Sequence, residues 1–333
     1  MKKFIFRALL LLGIPFLLLA ILYIITDPFK TIRDFSLEYF DITNRDYLST
    51  ELFLKNSKCV NYDSFIFGSS RCSGLNSYHW KKYLPDSSKQ FVFQAWSETL
   101  TGIYQKLNYI DRSGNDIENA LLVFDIPGTF SSKQLPTKTL SIKDWRISGQ
   151  SEFMFQCTLC YNFLQKPSIW LKSIKDCFNN DKPYVSFDTV SNDWDSNNRY
   201  ADLMTVPMQD SLNNCSNISR KSFMKAVADY KSNVQEISPV LITDDFKFML
   251  IEIKNIFSKH NTAYKIIISP APWQTNKAIN PADYKTLVSI FGNHVFDFSG
   301  RNTITEDYNN FTDPGHFGLR AGWTIIEDIY NRN

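Results

Sequence analysis

At 333 residues, 44% hydrophobic and 15% aromatic, the chain is long enough for one or two domains with a full apolar core, which excludes a stapled miniprotein and a wholly disordered chain. Its 36 Lys and Arg nearly cancel 34 Asp and Glu, and setting aside Lys2, Lys3 and Arg7 leaves 33 against 34 with no basic run. Phosphate binding needs clustered cations, so this balance excludes nucleic acid as a partner.

Residues 8–26 read ALLLLGIPFLLLAILYIIT, nineteen positions without a charge. That is close to the roughly 20 needed to cross a bilayer as a helix. The cations before it place residues 1–7 in the cytoplasm and everything after Asp27 on the extracytoplasmic side, periplasmic or extracellular. The exit LYIITDPFK lacks the small-residue cleavage pattern of a signal peptide, so an uncleaved single-pass anchor in the cell membrane is expected, with removal at an atypical site as the alternative. Residues 27–58, polar and aromatic without strand alternation, are expected to be a stalk, followed by one domain over 59–333.

In that domain SFIFG (64–68) is a short apolar run ending at glycine, with a helical stretch expected after it to about Tyr83. Further apolar runs follow at 91–93, 120–126, 264–269 and 294–298. Helix-length segments separate them at 99–111, 245–259, 281–291 and 319–330. Strands apolar throughout and alternating with helices define a doubly wound parallel α/β sheet flanked by helices on both faces. Residues 130–243 break the rhythm and are too long for an ordinary connection, so they form an insertion, with helical character around 151–178 and an expected role in substrate or partner binding. Cys59, Cys72, Cys157, Cys160, Cys177 and Cys215 sit where disulfides persist. The C-x-x-C at Cys157 and Cys160 has no second pair to complete a zinc site, which leaves a structural disulfide or plain buried thiols.

Reactive groups in a doubly wound sheet collect at the carboxyl ends of its strands. Gly68-Ser69-Ser70-Arg71 follows a buried strand, where glycine permits a tight turn and a helix N-terminus offers free N–H groups to an oxyanion. Asp313-Pro314-Gly315-His316 precedes the last helix, with a spacing that lets the carboxylate hold one imidazole nitrogen while the other faces the serine. Serine needs such a base near neutral pH, and of His79, His260, His294 and His316 only the last follows an acid in this way. Each motif alone reads as a helix cap or an ordinary turn; together they form a nucleophile, base and acid set.

FIFGSSRCSG resembles the first block of the SGNH (GDSL-like) hydrolase and acyltransferase superfamily, and DPGHFG its fifth. FVFQAWSETL, VFDIPGTF and IIISPAPW fall at strand ends between them. With its anchor, the chain is similar to the exported branch that includes the teichoic acid D-alanyl transfer protein and alginate-type O-acetyltransferases. The resemblance implies a flavodoxin-like three-layer sandwich with Ser70 as nucleophile, His316 as base and Asp313 as its orienting acid. It also implies no cofactor and no metal. Gln94-Ala95-Trp96-Ser97 and Phe124-Asp125-Ile126-Pro127 stand where the superfamily has its oxyanion glycine and asparagine. Backbone N–H groups around Trp96 or Ser97 are then the remaining donors beside Gly68 and Ser69, since an ionised Asp125 donates nothing. Asp125 either binds a polar substrate or caps a turn. Arg71 either grips an anionic acceptor or pairs with a neighbouring acid. Trp96, Trp273 and Tyr308 are placed to stack on sugars or to pack in the core.

The implied activity is transfer of a small acyl group, such as acetyl, onto a cell-surface glycan through acyl-Ser70, with a multi-spanning membrane acyltransferase as donor. A carbohydrate esterase with the same triad and a non-catalytic glycan-binding or assembly protein are the alternatives.

Overall fold

The computed structural model describes residues 2–32, 44–131, 142–178, 187–194, 225, 234–274 and 276–332. The chain divides into two compact units, Met1–Leu48 with Leu135–Val185, and Ser49–Gln134 with Ser186–Asn333. The 130–243 insertion is thus divided between the two, and its stretches 132–141, 179–186, 195–224 and 226–233 lie outside the described residues.

The second unit holds the five expected strands: β1 (Ser64–Gly68), β2 (Gln90–Gln94), β3 (Asn119–Phe124), β4 (Ala263–Ile268) and β5 (Val295–Asp297). They pair in the order β2-β1-β3-β4-β5, every ladder parallel, the order of flavodoxin-like sheets. Side-chain alternation explains why the strands are apolar throughout. Ile66, Val92, Leu121, Val123, Ile267 and Phe296 bury one face together with Trp80, Ile325, Ile326 and Ile329. The alternate residues Phe65, Phe91 and Phe93 bury the other, with Phe53 5.2–6.1 Å from their rings. Both faces are covered, so no position on the central strands faces water.

The helices begin where short polar side chains offer caps. Thr99, Thr243 and Asn280 accept from Gly102, Phe246 and Ala282 N–H, starting helices at Leu100–Arg112, Asp244–Lys259 and Pro281–Phe291, within a residue of their expected starts. The last helix, Leu319–Asn331, carries Ile325, Ile326 and Ile329 to the core.

Three details differ from expectation. The helical stretch after β1 is a 3₁₀ turn, Ser70–Gly74, followed by a separate short helix, Ser77–Lys81. Asn76 interrupts the two by capping the second, its side chain accepting from His79 N–H. The end of the stalk is instead a helix, Arg45–Asn56, in which Leu52 and Phe53 are buried. Residues 187–194 of the insertion cover the β2 edge: Ser191 C=O accepts from Val92 N–H at 2.9 Å and Asn192 Nδ2 donates to Val92 C=O. An open edge is a template for unwanted pairing, and this segment closes it.

In the first unit the N-terminal helix runs Lys2–Thr26. Among the described residues no helix is long and apolar enough to cross a membrane; the side chains of residues 2, 4–10 and 12 lie outside them. Helices Glu152–Gln165 and Pro167–Phe178 share a core with the end of this N-terminal helix, built from Tyr23, Phe29, Tyr47, Phe155, Leu159 and Phe163. Cys157 and Cys160 lie mid-helix as free thiols, the first exposed and the second half-buried. They form neither the disulfide nor the buried pair expected. Cys59 and Cys72 are also free, and Cys215 and the Cys177 side chain lie outside the described residues.

Candidate active site

The nucleophile turn forms because β1 ends at a position only glycine fills comfortably. Gly68 has φ +155°, and a Cβ there would lie 2.7 Å from Cys72 Sγ and 2.8 Å from Val123 C=O. The chain then turns sharply into the 3₁₀ helix whose first residue is Ser70. Ser69 caps it, accepting from Arg71 N–H, and Ser73 Oγ donates to Ser70 C=O at 2.6 Å.

The acid and base come from a β-hairpin. Phe311–Asp313 and His316–Phe317 pair antiparallel with Asp313 opposite His316, and Pro314-Gly315 is the two-residue turn between them. Register therefore sets the carboxylate against the imidazole. His316 Nδ1 lies 2.9 Å from both Asp313 oxygens, and Nε2 lies 2.7 Å from Ser70 Oγ. Burial alone would raise the Asp313 carboxyl, but hydrogen bonds from His316 and Gly315 N–H, with the imidazole's charge, outweigh it and hold the group below the usual carboxylate range. An ionised Asp313 fixes the tautomer that leaves Nε2 free to accept the serine proton. His316 and Asp313 are 39% and 35% exposed, so the site is open to solvent.

The other three histidines are occupied elsewhere. His260 Nε2 lies 2.6 Å from an Asp111 oxygen, His294 Nδ1 lies 3.2 Å from Tyr264 C=O, and His79 is buried against the Trp323 ring with centroids 4.6 Å apart.

Beneath the nucleophile lies a polar cluster that the sequence shows only in part. Asp125, buried at the end of β3, accepts from Ser69 Oγ and from Ser269 Oγ at 2.9 Å. Arg71 Nε stands 3.6 Å from Asp125, and its Nη1 donates to Ser269 at 2.7 Å. Arg71 and Asp125 side chains are each only 12% exposed. Of the two alternatives for Arg71 the cluster shows the pairing with an acid, Ser69 spends its hydroxyl on Asp125, and the Asp125 carboxylate binds protein hydroxyls. Together they brace the turn from below, because the ends of β1, β3 and β4 meet there. Ser269 was the residue missed; its signal was its place directly after the apolar run of β4.

Trp96 and Ser97 follow β2, which pairs in register with β1 up to Gly68 and Gln94. Ala95 N–H continues that ladder to Gly68 C=O, and Ser97 has φ +55°, a left-handed conformation uncommon for serine. Among the described residues, nothing accepts from the N–H groups of Ser70, Trp96 or Ser97. Trp96 is 40% exposed, whereas Trp273 is buried at 6% under Arg301 and Tyr308 packs against the core while accepting from Gln274. Of the three aromatics only Trp96 is free to stack on a ligand.

No family model matches the chain, and no curated protein matches it. The arrangement is therefore read from its own geometry: a serine hydroxyl aligned with a carboxylate-held imidazole, beside unengaged backbone N–H groups.

Proposed function

We propose that the protein is an SGNH-like acyltransferase that moves a small acyl group onto a cell-surface polysaccharide outside the cytoplasmic membrane. The observation that carries this reading is the continuous hydrogen-bond line from Ser70 through His316 to Asp313. Ser70 Oγ attacks the acyl carbonyl while His316 Nε2 takes its proton, and the oxyanion is met by backbone N–H groups of Ser70 and of the Trp96–Ser97 loop. Collapse expels the donor's leaving group, which takes the proton from His316, and leaves acyl-Ser70. A hydroxyl of a glycan whose ring stacks on Trp96 then gives its proton to His316 and attacks the ester, and as the acyl–oxygen bond to Ser70 breaks, His316 returns the proton to Ser70 Oγ. The acyl donor in this scheme is a multi-spanning membrane acyltransferase, and no cofactor or metal takes part.

Residues 8–26 anchor the domain. Their nineteen uncharged positions span about 28 Å as a helix, and Leu11, Phe16, Leu17, Leu18, Ile24 and Ile25 are all more than half exposed, as lipid-facing side chains are.

Solvent exposure of His316 favours a second reading, an esterase in which water replaces the glycan hydroxyl. Incubation of the full-length protein in micelles with an aryl acetate, followed by mass spectrometry, tests the shared first step. The expected result is an acetyl adduct on Ser70, absent in Ser70→Ala and His316→Ala. Folded protein that forms no adduct and releases no product overturns both readings in favour of a non-catalytic role. Adding a polysaccharide acceptor then separates them: adduct that persists until acceptor is supplied marks the transferase, and adduct lost to buffer alone marks the esterase.

A further inference from the structure

We infer that the helical hairpin of residues 152–178 is a second membrane contact, a foot whose outer face lies in the headgroup and acyl boundary of the bilayer that residues 8–26 cross. The inference rests on the anchor reading above and adds a surface to it.

Three observations converge on this surface. The first is composition. Helix Glu152–Gln165 carries its sole charge at its first residue, so it is apolar on more than one face. A helix of that kind is buried or faces lipid. The inner face, Phe155, Leu159 and Phe163, is fully buried. The outer face is not covered: Phe153 is 74% exposed, Met154 55% and Tyr161 55%. Phe153, the exposed Cys157 and Tyr161 form a stripe at i, i+4 and i+8, one side of the helix over two turns, with Met154 beside it. The next helix adds Leu171 at 70% and Ile174 at 39%, one turn apart.

The second is position. The inner face packs on the last turn of the anchor helix and the chain just beyond it. Tyr23 meets Phe163 edge-on at 5.1 Å and Phe29 at 6.1 Å. Gln156 and Thr31 are joined by hydrogen bonds of 3.3 and 3.4 Å. Asp27 folds the exit turn by accepting from Thr31 and Ile32 N–H. Residues 22–29 stand where an apolar run beginning at residue 8 leaves the hydrocarbon. Side chains packed there share that depth, and the anchor end itself exposes Ile21, Ile24 and Ile25.

The third is side-chain chemistry suited to an interface. Trp170 Nε1 donates to Phe163 C=O, and the hairpin carries Lys166, Lys172 and Lys175 against Glu152 and Asp176. Apolar faces bordered by aromatic rings and lysines are those that settle into a lipid surface. A second contact removes the swivel of a single-helix tether.

The test uses the full chain in phospholipid vesicles at high dilution, with a phosphatidylcholine carrying a diazirine on its acyl chain. After irradiation, peptides are mapped by mass spectrometry. Lipid adducts are expected both on peptides of residues 8–26 and on those bearing Phe153, Met154, Tyr161 and Leu171, several-fold above the level on exposed Tyr78, and they should fall to the Tyr78 level at residue 153 in Phe153→Ser. Adducts on residues 8–26 alone overturn the foot and keep the anchor. Adducts on the hairpin alone keep the foot and overturn the span. Adducts on neither overturn both, and a cross-link between two copies through residues 153–171 assigns the stripe to self-association and overturns the inference.

Discussion

Ser70 owes its proposed reactivity to a partner 246 positions away, and the quality of that partner depends on Asp313. Asp313→Asn keeps the shape but favours the wrong imidazole tautomer, so acyl-Ser70 formation should fall by about 10⁴, the loss typical of this change in serine triads; stopped-flow release of an aryl leaving group measures it. The same substitution has a pH signature. A carboxyl held below its ordinary 3.8 in the folded chain contributes stability that is complete above that value and is lost as pH falls through the folded one. Urea midpoints of the wild type and Asp313→Asn should therefore differ at pH 7 and converge below about pH 3.8. The triad was legible because each member sits in a distinctive local frame, a glycine after an apolar run and an acid three residues before histidine. Ser269 and the inward turn of Arg71 were not. A lone serine or arginine carries no local mark of which strand end it will meet, and only the β1-β3-β4 adjacency brings them to Asp125.

At the scale of elements, the nucleophile turn and the last helix touch through glycine. A Cβ on Gly322 would stand 1.7 Å from Gly74 C=O, and one on Gly74 would stand 2.4 Å from the Phe317 ring. The obstacle at Gly322 is backbone, which cannot rotate aside. Gly322→Ala should thus cost about 1–3 kcal/mol or more by overpacking, and in whatever remains folded the Ser70 turn should be pushed from the His316 hairpin. Thermal denaturation and adduct yield per folded molecule check the two effects separately. Strand positions were readable because strands buried on both faces leave runs with no polar residue to confuse the period. The break of the helix after β1 was not, since Asn76 fits a helix interior poorly and a cap well, and the choice depends on where Trp80 must reach the core. The sealing of the β2 edge by residues 187–194 was equally hidden: one bond uses a main-chain carbonyl that every sequence possesses, and the other a lone Asn192 amide with no local mark of the strand it will meet.

At the scale of the whole molecule, the proposed anchor makes a plain prediction. Alkaline carbonate should leave the wild type in the membrane pellet, whereas a Leu17→Arg, Leu18→Arg double variant should be released or fail to insert, each arginine costing about 2.5–3.5 kcal/mol near the middle of the span. The two halves of the triad lie near opposite ends of the body, and this order governs when chemistry can begin. A ribosome delivers the Ser70 turn first and, 246 residues later, His316. Until that later segment has emerged and docked at Gly74, Ser70 lacks the imidazole that the proposed chemistry requires. On the proposed mechanism a nascent chain is accordingly unable to capture acyl groups before His316 has emerged, and a chain truncated before residue 313 by a premature stop would carry its nucleophile permanently silent.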